Sequence, residues 1–378
     1  MSLFLLTFFL IYGGVHVYTF LRVRSVLTPG PAATACMVLF LALMAFAPIL
    51  VRLAEKSGLE LTARMLAYTG YCWMGLLFLF FSASLAIDLY RLLMYSAGLV
   101  AGRNFSSLIP SDRTAFLVAS FYAVCTAVYG YLEALDIRTE RVVLKSPRIP
   151  VEIGRITVAQ ISDVHLGLIV RTGRLQRIVR LINAAKPDIL VSTGDLVDGQ
   201  INDLSPLVEA LREIKPKYGK FAVTGNHEYY AGFAQAMDFT EKAGFRVLHG
   251  EKEEVAGITV AGVDDPAGFR MGLGRTAGER ELLGPHQRSR FTLLLKHRPD
   301  VEKDSAGRFD LQLSGHIHGG QIFPFSLVTR FFYATGTGCF RLDDNSVLYV
   351  SRGTGTWGPP IRFLAPPEVT VFELEHGD

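Results

Sequence analysis

Charge is scarce in this sequence. Asp, Glu, Lys and Arg make up 19% of its 378 residues, against about 25% in an ordinary soluble domain. The shortage is uneven. Residues 1–137 hold 8 Lys/Arg and 6 Asp/Glu, about 10% of that stretch, while the 241 residues after Ile137 hold 59, about 24%. A single soluble domain and a disordered chain are thereby excluded. Cysteine is equally sparse. Cys36, Cys72 and Cys125 lie in apolar stretches and Cys339 stands alone beyond them, so neither a disulfide framework nor a cysteine metal site is available. Net charge is only +3, with no dense basic cluster, and no nucleic-acid binding is expected. Repeats and low-complexity tracts are also missing.

What the first third has is lipid-like composition. Residues 1–21, 25–51, 65–87 and 114–132 contain no charged side chain, and each is near the ~20 residues a helix needs to cross a hydrocarbon core. Four transmembrane helices are predicted at about 3–21, 32–52, 65–88 and 114–135. A short apolar piece, Leu92–Gly102, either lies along the interface or extends the third helix. The first stretch lacks a basic n-region and three more spans follow it, so it reads as a span and not as a cleaved signal. Four spans put the second loop and the remainder of the chain on one side, with seven Arg/Lys against five on the other, an excess that favours the cytoplasm. Arg22 and Arg24, after an uncharged N-terminus, argue the reverse. The protein is expected to be an integral membrane protein, of the cell membrane, with its side left open. Only His16 lies within a span, which argues against an ion pathway.

Residues 138–154, with Pro147 and Pro150, read as a linker to a soluble domain over 155–378. There, RITVAQISD, DILVSTGD, KFAVTGNH, GITVAGVDD, FTLLLKH and FDLQLSGH read as buried strands, and VLYVSRG and EVTVFELE as late ones. Helical patterns at 174–185, 206–214 and 233–243 alternate with them, which predicts a layered α/β fold.

The regularity lies in how the strands end: Asp163 with His165, Asp195, Asn226 with His227, His297, and His316 with His318. In open α/β sheets functional groups gather at the carboxyl ends of strands. On extended backbone Asp163 and His165 share a face, as do His316 and His318. Glycines precede several of these residues, where a turn without Cβ is useful. A mixed carboxylate, amide and imidazole set suits Mn, Fe, Zn or Co and not calcium. His16, His249, His286 and His376 lack such a context and read as structural or exposed.

These residues resemble a known family. Asp163-x-His165, Gly194-Asp195, Gly225-Asn226-His227-Glu228, His297 and Gly315-His316-x-His318 are similar, block by block and in order, to the calcineurin-like metallophosphoesterases. The wordings ISDVHLG, STGDLVDG, TGNHEYY, GHIHGGQIFP and SRGTGTWGPPIRF look most like its bacterial membrane-associated branch. The match runs from about Arg155 to Glu375, and the four-span arrangement before it is similar to transmembrane proteins with a metallophosphoesterase domain. The resemblance implies a four-layer α/β/β/α sandwich holding two divalent metal ions (Mn, Fe or Zn). Asp163, His165 and His318 would hold the first ion and Asn226, His297 and His316 the second, with Asp195 bridging. His227 would protonate the leaving group or steady the phosphate. Asp198 stands where Gly is more common and reads as a turn or capping carboxylate.

The implied activity is hydrolysis of a phosphodiester, pyrophosphate or phosphomonoester by a metal-activated hydroxide. The apolar run at 322–333 is either a lipid-facing rim or a buried hairpin, and with four spans it raises a lipid-linked substrate. Arg330, Arg341, Arg352 and Arg362 are candidates to meet phosphate. The rivals are a non-catalytic membrane sensor or scaffold, and a protein phosphatase.

Overall fold

The computed structural model describes residues 3–199, 205–274, 278–284, 289–342 and 345–377, and His286 lies outside them. The chain divides into two compact units. One comprises residues 1–132 with 358–361, the other 133–357 with 362–378.

The first unit is built on α1 (Leu3–Leu27), α2 (Pro31–Lys56), α3 (Glu60–Ala101) and α4 (Asp112–Leu135). All four are long and apolar enough to cross a membrane. Helix α3 runs unbroken for 42 residues, so the apolar piece after Asp88 extends it. Small residues let α2 and α3 approach closely: Ala47 is buried, and a Cβ at Gly70 would stand 2.6 Å from that of Ala47. His16 has a structural role. Its Nδ1 donates to the Tyr12 carbonyl at 2.8 Å, leaving Nε2 to accept from Trp73 Nε1 at 3.1 Å.

The second unit contains two six-stranded sheets. The strands are β1 (Arg138–Ser146), β2 (Arg155–Ile161), β3 (Ile189–Ser192), β4 (Lys220–Ala222), β5 (Arg246–Val247), β6 (Glu251–Val255), β7 (Ile258–Gly262), β8 (Thr292–Leu295), β9 (Leu311–Ser314), β10 (Gly338–Arg341), β11 (Val347–Val350) and β12 (Glu368–His376). One sheet runs β1-β12-β2-β3-β4-β5 and the other β10-β11-β9-β8-β7-β6. Strands β2 to β5 are parallel, as are β7, β8, β9 and β11.

Period-two alternation sorts the side chains into layers. Ile156, Val158, Ile189, Val191, Leu293 and Leu295 meet in a core shared by the two sheets. Their neighbours Ala159, Ile161 and Leu190 face helices α5 (Thr172–Ala185), α6 (Ser205–Arg212) and α7 (Asn226–Lys242). Helix α5 answers with Leu175, Ile178, Val179 and Ile182, the i, i+3, i+4, i+7 stripe of a half-buried helix. On the far side Ala261 and Leu294 pack against Leu282 and Leu283 of α9 (Glu279–Leu283). Short helices α8 (Pro266–Arg270) and α10 (Phe325–Phe332) complete the unit. The α/β/β/α order that the family resemblance implies is therefore observed.

The supposed linker needs correction. Residues 138–146 are strand β1, paired in parallel with β12 from Arg138 with Glu368 to Ser146 with His376. Val142 and Leu144 pack against the shared core. The partner strand closes the chain, so nothing local announced the pairing.

Candidate metal centre

Each candidate ligand follows a parallel strand, and the loops beyond those strands are stitched together. Asp163 N–H donates to the Gly194 carbonyl at 3.0 Å and His165 N–H to the Asp195 carbonyl at 3.0 Å. From the other sheet, Gly315 N–H donates to the His297 carbonyl at 2.9 Å. Gln160 ties the two sheets, donating from Nε2 to Thr193 Oγ1 at 2.9 Å and to the Ser314 carbonyl at 3.2 Å.

Strand alternation does not aim the paired residues, contrary to the sequence expectation. Asp163, His165, Asp195, His316 and His318 all have φ between 50° and 71°, in the left-handed region. Non-glycine residues there are uncommon and strained, and they cluster at functional sites. The backbone has turned out of the strand before it reaches the ligands. Glycine is needed where these loops touch. A Cβ on Gly225 would collide with Asp195 Oδ1, and one on Gly315 would overlap Ser162 Oγ and Asp163 Oδ2.

The structure brings seven of the eight predicted site residues together, and the eighth, Asn226, directly precedes His227, whose N–H donates to Asp195 Oδ1 at 2.8 Å. Asp163, His165 and His318 form one group with ligand atoms within 4.8 Å of one another, and Asp195, His297 and His316 form another. Asp195 Oδ2 joins them, 3.2 Å from His297 Nε2 and 3.9 Å from His165 Nε2. His227 falls within the same reach of His165 and Asp195. Asp163, His165, Asp195, Asn226, His227, His297 and His318 are all buried, and His316 is half-buried.

The donor set fits metal ions. Two nitrogens roughly 2.0–2.1 Å from one ion, at octahedral to tetrahedral angles, stand about 2.8–3.4 Å apart. His165 Nε2 and His318 Nε2 are 3.1 Å apart, as are His297 Nε2 and His316 Nδ1. Asn226 Oδ1 is buried without a hydrogen-bond partner, an orphan acceptor that a cation would satisfy. His297 Nδ1 donates to the Thr193 carbonyl at 2.8 Å, which leaves Nε2 free to ligate.

Electrostatics agree in part. Burial pushes His165 down to about 4 and His316 to about 3, and it holds His318 well below its ordinary value, so these rings are neutral donors at pH 7. Burial opposes charge on Asp195, but His297 and His227 hold it well below the ordinary carboxylate range. His297 is the exception. Burial disfavours its charge, yet Asp195 raises it to about 10, so taking up an ion there displaces a proton.

Three residues outside the predicted set hold this arrangement. Glu228 is buried and accepts from the N–H groups of Gly225 (2.7 Å), Asp195 (3.0 Å), Leu196 (2.7 Å) and Val197 (3.3 Å), pinning the Asp195 loop. Burial and the Asp195 carboxylate lift it to about 7. Its spacing from Gly225 is that of a capping box, a signal present in the sequence, but its reach to residues 195–197 was not legible. Asp198 is not merely a turn carboxylate, because its Oδ1 lies 2.7 Å from His227 Nδ1. Arg362, a candidate to meet phosphate, turns inward. It is wholly buried, donates to the carbonyls of Gly355, Arg352 and His318, and places Nη2 3.1 Å from His318 Nδ1. Arg352 is likewise engaged, paired with Glu368 at 2.6 Å and Glu140 at 2.5 Å, whereas Arg330 and Arg341 are exposed. His249 pairs with Asp264 at 2.8 Å, and His376 donates from Nδ1 to the Ile149 carbonyl at 2.7 Å; neither joins the groups of ligand atoms.

Fold and site together define a metallophosphoesterase. Residues 156–320 match the calcineurin-like phosphoesterase family model. The chain is 40% identical over 257 residues to an uncharacterized metallophosphoesterase of Aquifex aeolicus, covering 68% of this chain and 98% of that one. It is 33% identical over 222 residues to an uncharacterized metallophosphoesterase of Campylobacter jejuni, covering 58% and 59%. It is 29% identical over 278 residues to a Danio rerio transmembrane protein with a metallophosphoesterase domain, covering 68% and 62%. The chain thus spans about three-fifths of the latter two relatives. It belongs to the calcineurin-like metallophosphoesterases.

Proposed function

We propose that the protein is a membrane-anchored, metal-dependent phosphoric ester hydrolase acting on a phosphodiester, pyrophosphate or phosphomonoester. The observation that carries this reading is the pair of ligand groups joined at Asp195, with a buried, unpartnered Oδ1 on Asn226, the residue before His227. Asp163, His165 and His318 would hold one divalent cation and Asn226, His297 and His316 a second, with Asp195 shared. Such cations, when bound, supply positive charge to phosphoryl oxygens and acidity to water. Mn, Fe or Zn suits these donors.

The chain's own residues do the rest. His227 Nδ1 is held by Asp198, which leaves Nε2 to carry the proton that the departing oxygen needs. Glu228 fixes the backbone behind Asp195, and burial of the cluster keeps bulk water from its donors.

Four helices long and apolar enough to cross a membrane support an integral membrane protein of the cell membrane, and a lipid-linked phosphoester suits a catalytic unit so carried. Seven Arg/Lys against five favour a cytoplasmic catalytic unit. A reporter fused to the C-terminus tests the side. Catalysis is tested with the full chain, loaded with Mn, on bis(p-nitrophenyl) phosphate. Turnover by wild type that survives in Asp195→Ala would sink the assignment.

A further inference from the structure

The surface beside the cluster carries a feature that water does not explain. None of the eight residues of α10 is buried. Phe331 and Phe332 are 89% and 78% exposed, the most exposed large apolar side chains of the second unit among the described residues. Leu327 and Val328, on the same helix, are exposed as well. Folded proteins seldom leave so concentrated an apolar patch in water without a partner for it.

The helix is held next to the candidate ligands. Tyr333, at its C-terminal end, has its ring centroid 5.4 Å from that of His316. Its N-terminal approach is strapped down: Gln321 donates from Nε2 to the Trp357 carbonyl at 2.8 Å and accepts from Trp357 N–H at 2.9 Å. Phe323 N–H donates to the Phe363 carbonyl at 3.1 Å.

The physical character of the patch selects its occupant. Consecutive helical residues point about 100° apart, so one flat protein face does not cover both Phe331 and Phe332, whereas a fluid monolayer does. A helix of this length extends only about 12 Å, so by itself it supplies a small part of the roughly 800 Å² per partner of a standard protein interface. The same chain contains four helices long and apolar enough to cross a membrane. Arg330 on α10 adds an exposed cation of the kind that anionic headgroups attract.

We infer that α10 is an interfacial helix that seats Phe331 and Phe332 in a lipid monolayer, and that the phosphoester delivered to the neighbouring cluster is a lipid headgroup. The second clause rests on the phosphoesterase reading; the first does not.

The test uses the full chain in nanodiscs of phosphatidylcholine and phosphatidylglycerol (3:1), with Phe331→Trp and Phe332→Trp compared with the parent protein, whose tryptophans are Trp73 and Trp357. The added emission should be blue-shifted and quenched at least two-fold by brominated acyl chains. Emission quenched by aqueous iodide and not by bromolipid would overturn the inference. So would a blue shift that bromolipid leaves untouched, which would mean that protein covers the helix. In parallel, Phe331→Asp/Phe332→Asp should lower at least ten-fold the ratio of turnover on a bilayer-embedded long-chain alkyl p-nitrophenyl phosphate to turnover on bis(p-nitrophenyl) phosphate. An unchanged ratio rejects the lipid substrate. Absence of turnover on both probes by the Mn-loaded wild type rejects the phosphoesterase reading instead, and the quenching result still decides where α10 lies.

Discussion

Asp198 Oδ1 and His227 Nδ1 stand 2.7 Å apart, so the ring proposed to deliver a proton carries a carboxylate on its outer nitrogen. Burial disfavours a charged His227, but Asp195 and Asp198 outweigh it and push the imidazolium up to about 9. The acid must be protonated to act. Turnover of bis(p-nitrophenyl) phosphate should therefore persist through neutrality and fall as pH rises through that region. Asp198→Asn removes one of the charges that raise the value, so the basic limb of the kcat profile should move to lower pH. A limb that stays in place would rule out Asp198 as the positioning residue.

His227→Ala should lower kcat by about 10²–10⁴-fold, the usual worth of a positioned acid, while two metal ions remain by elemental analysis. Loss of metal along with rate would make His227 a ligand.

Asp195→Ala and His316→Ala should instead abolish turnover together with metal content. Chelation of the wild type should do the same, reversibly on adding Mn. Retained rate after exhaustive chelation would contradict a metal-dependent reaction.

Glu228→Gln replaces one carboxylate oxygen with an amide that opposes backbone N–H donors. Up to four buried N–H groups depend on that side chain. Thermal unfolding of the detergent-solubilised chain should show a loss of about 1–3 kcal/mol, with weaker metal binding. A melting temperature equal to wild type would show that the loop does not need the cradle.

Arg362→Met should weaken binding at the group formed by Asp163, His165 and His318, because Nη2 and the neighbouring carbonyl contacts hold the His318 ring. Loss of a residue that orients a metal ligand typically costs roughly 10–100-fold in metal affinity, to be read by competition with a chromogenic chelator. Equal affinities would reduce Arg362 to a packing role.

The sequence by itself determined the division of labour. Twenty-residue stretches without charge have few structural outcomes, so four long apolar helices followed from composition. Buried strands of β-branched residues ending in Asp, Asn and His marked both the layers and the ligands, because period-two burial and strand-end chemistry are local properties. What was not local went unread. Strand β1 depends on a partner at the far end of the chain, so residues 138–146 looked like a linker. Residue type and spacing did not disclose that Arg362 turns inward, that Asp198 meets His227, or that Glu228 spans to residues 195–197. Nor did alternation convey how Asp163 and His165 are aimed, since left-handed backbone sets their directions. Whether the run at 322–333 was a rim or a buried hairpin was likewise left to the tertiary structure. The answer is the exposed helix α10, flanked by a buried Ile322 and by Tyr333 packed against Ile317, Leu348 and Val350. Composition fixes which solvent a segment tolerates and periodicity which side it buries. Only long-range packing decides which distant side chains share a charge, a proton or an ion.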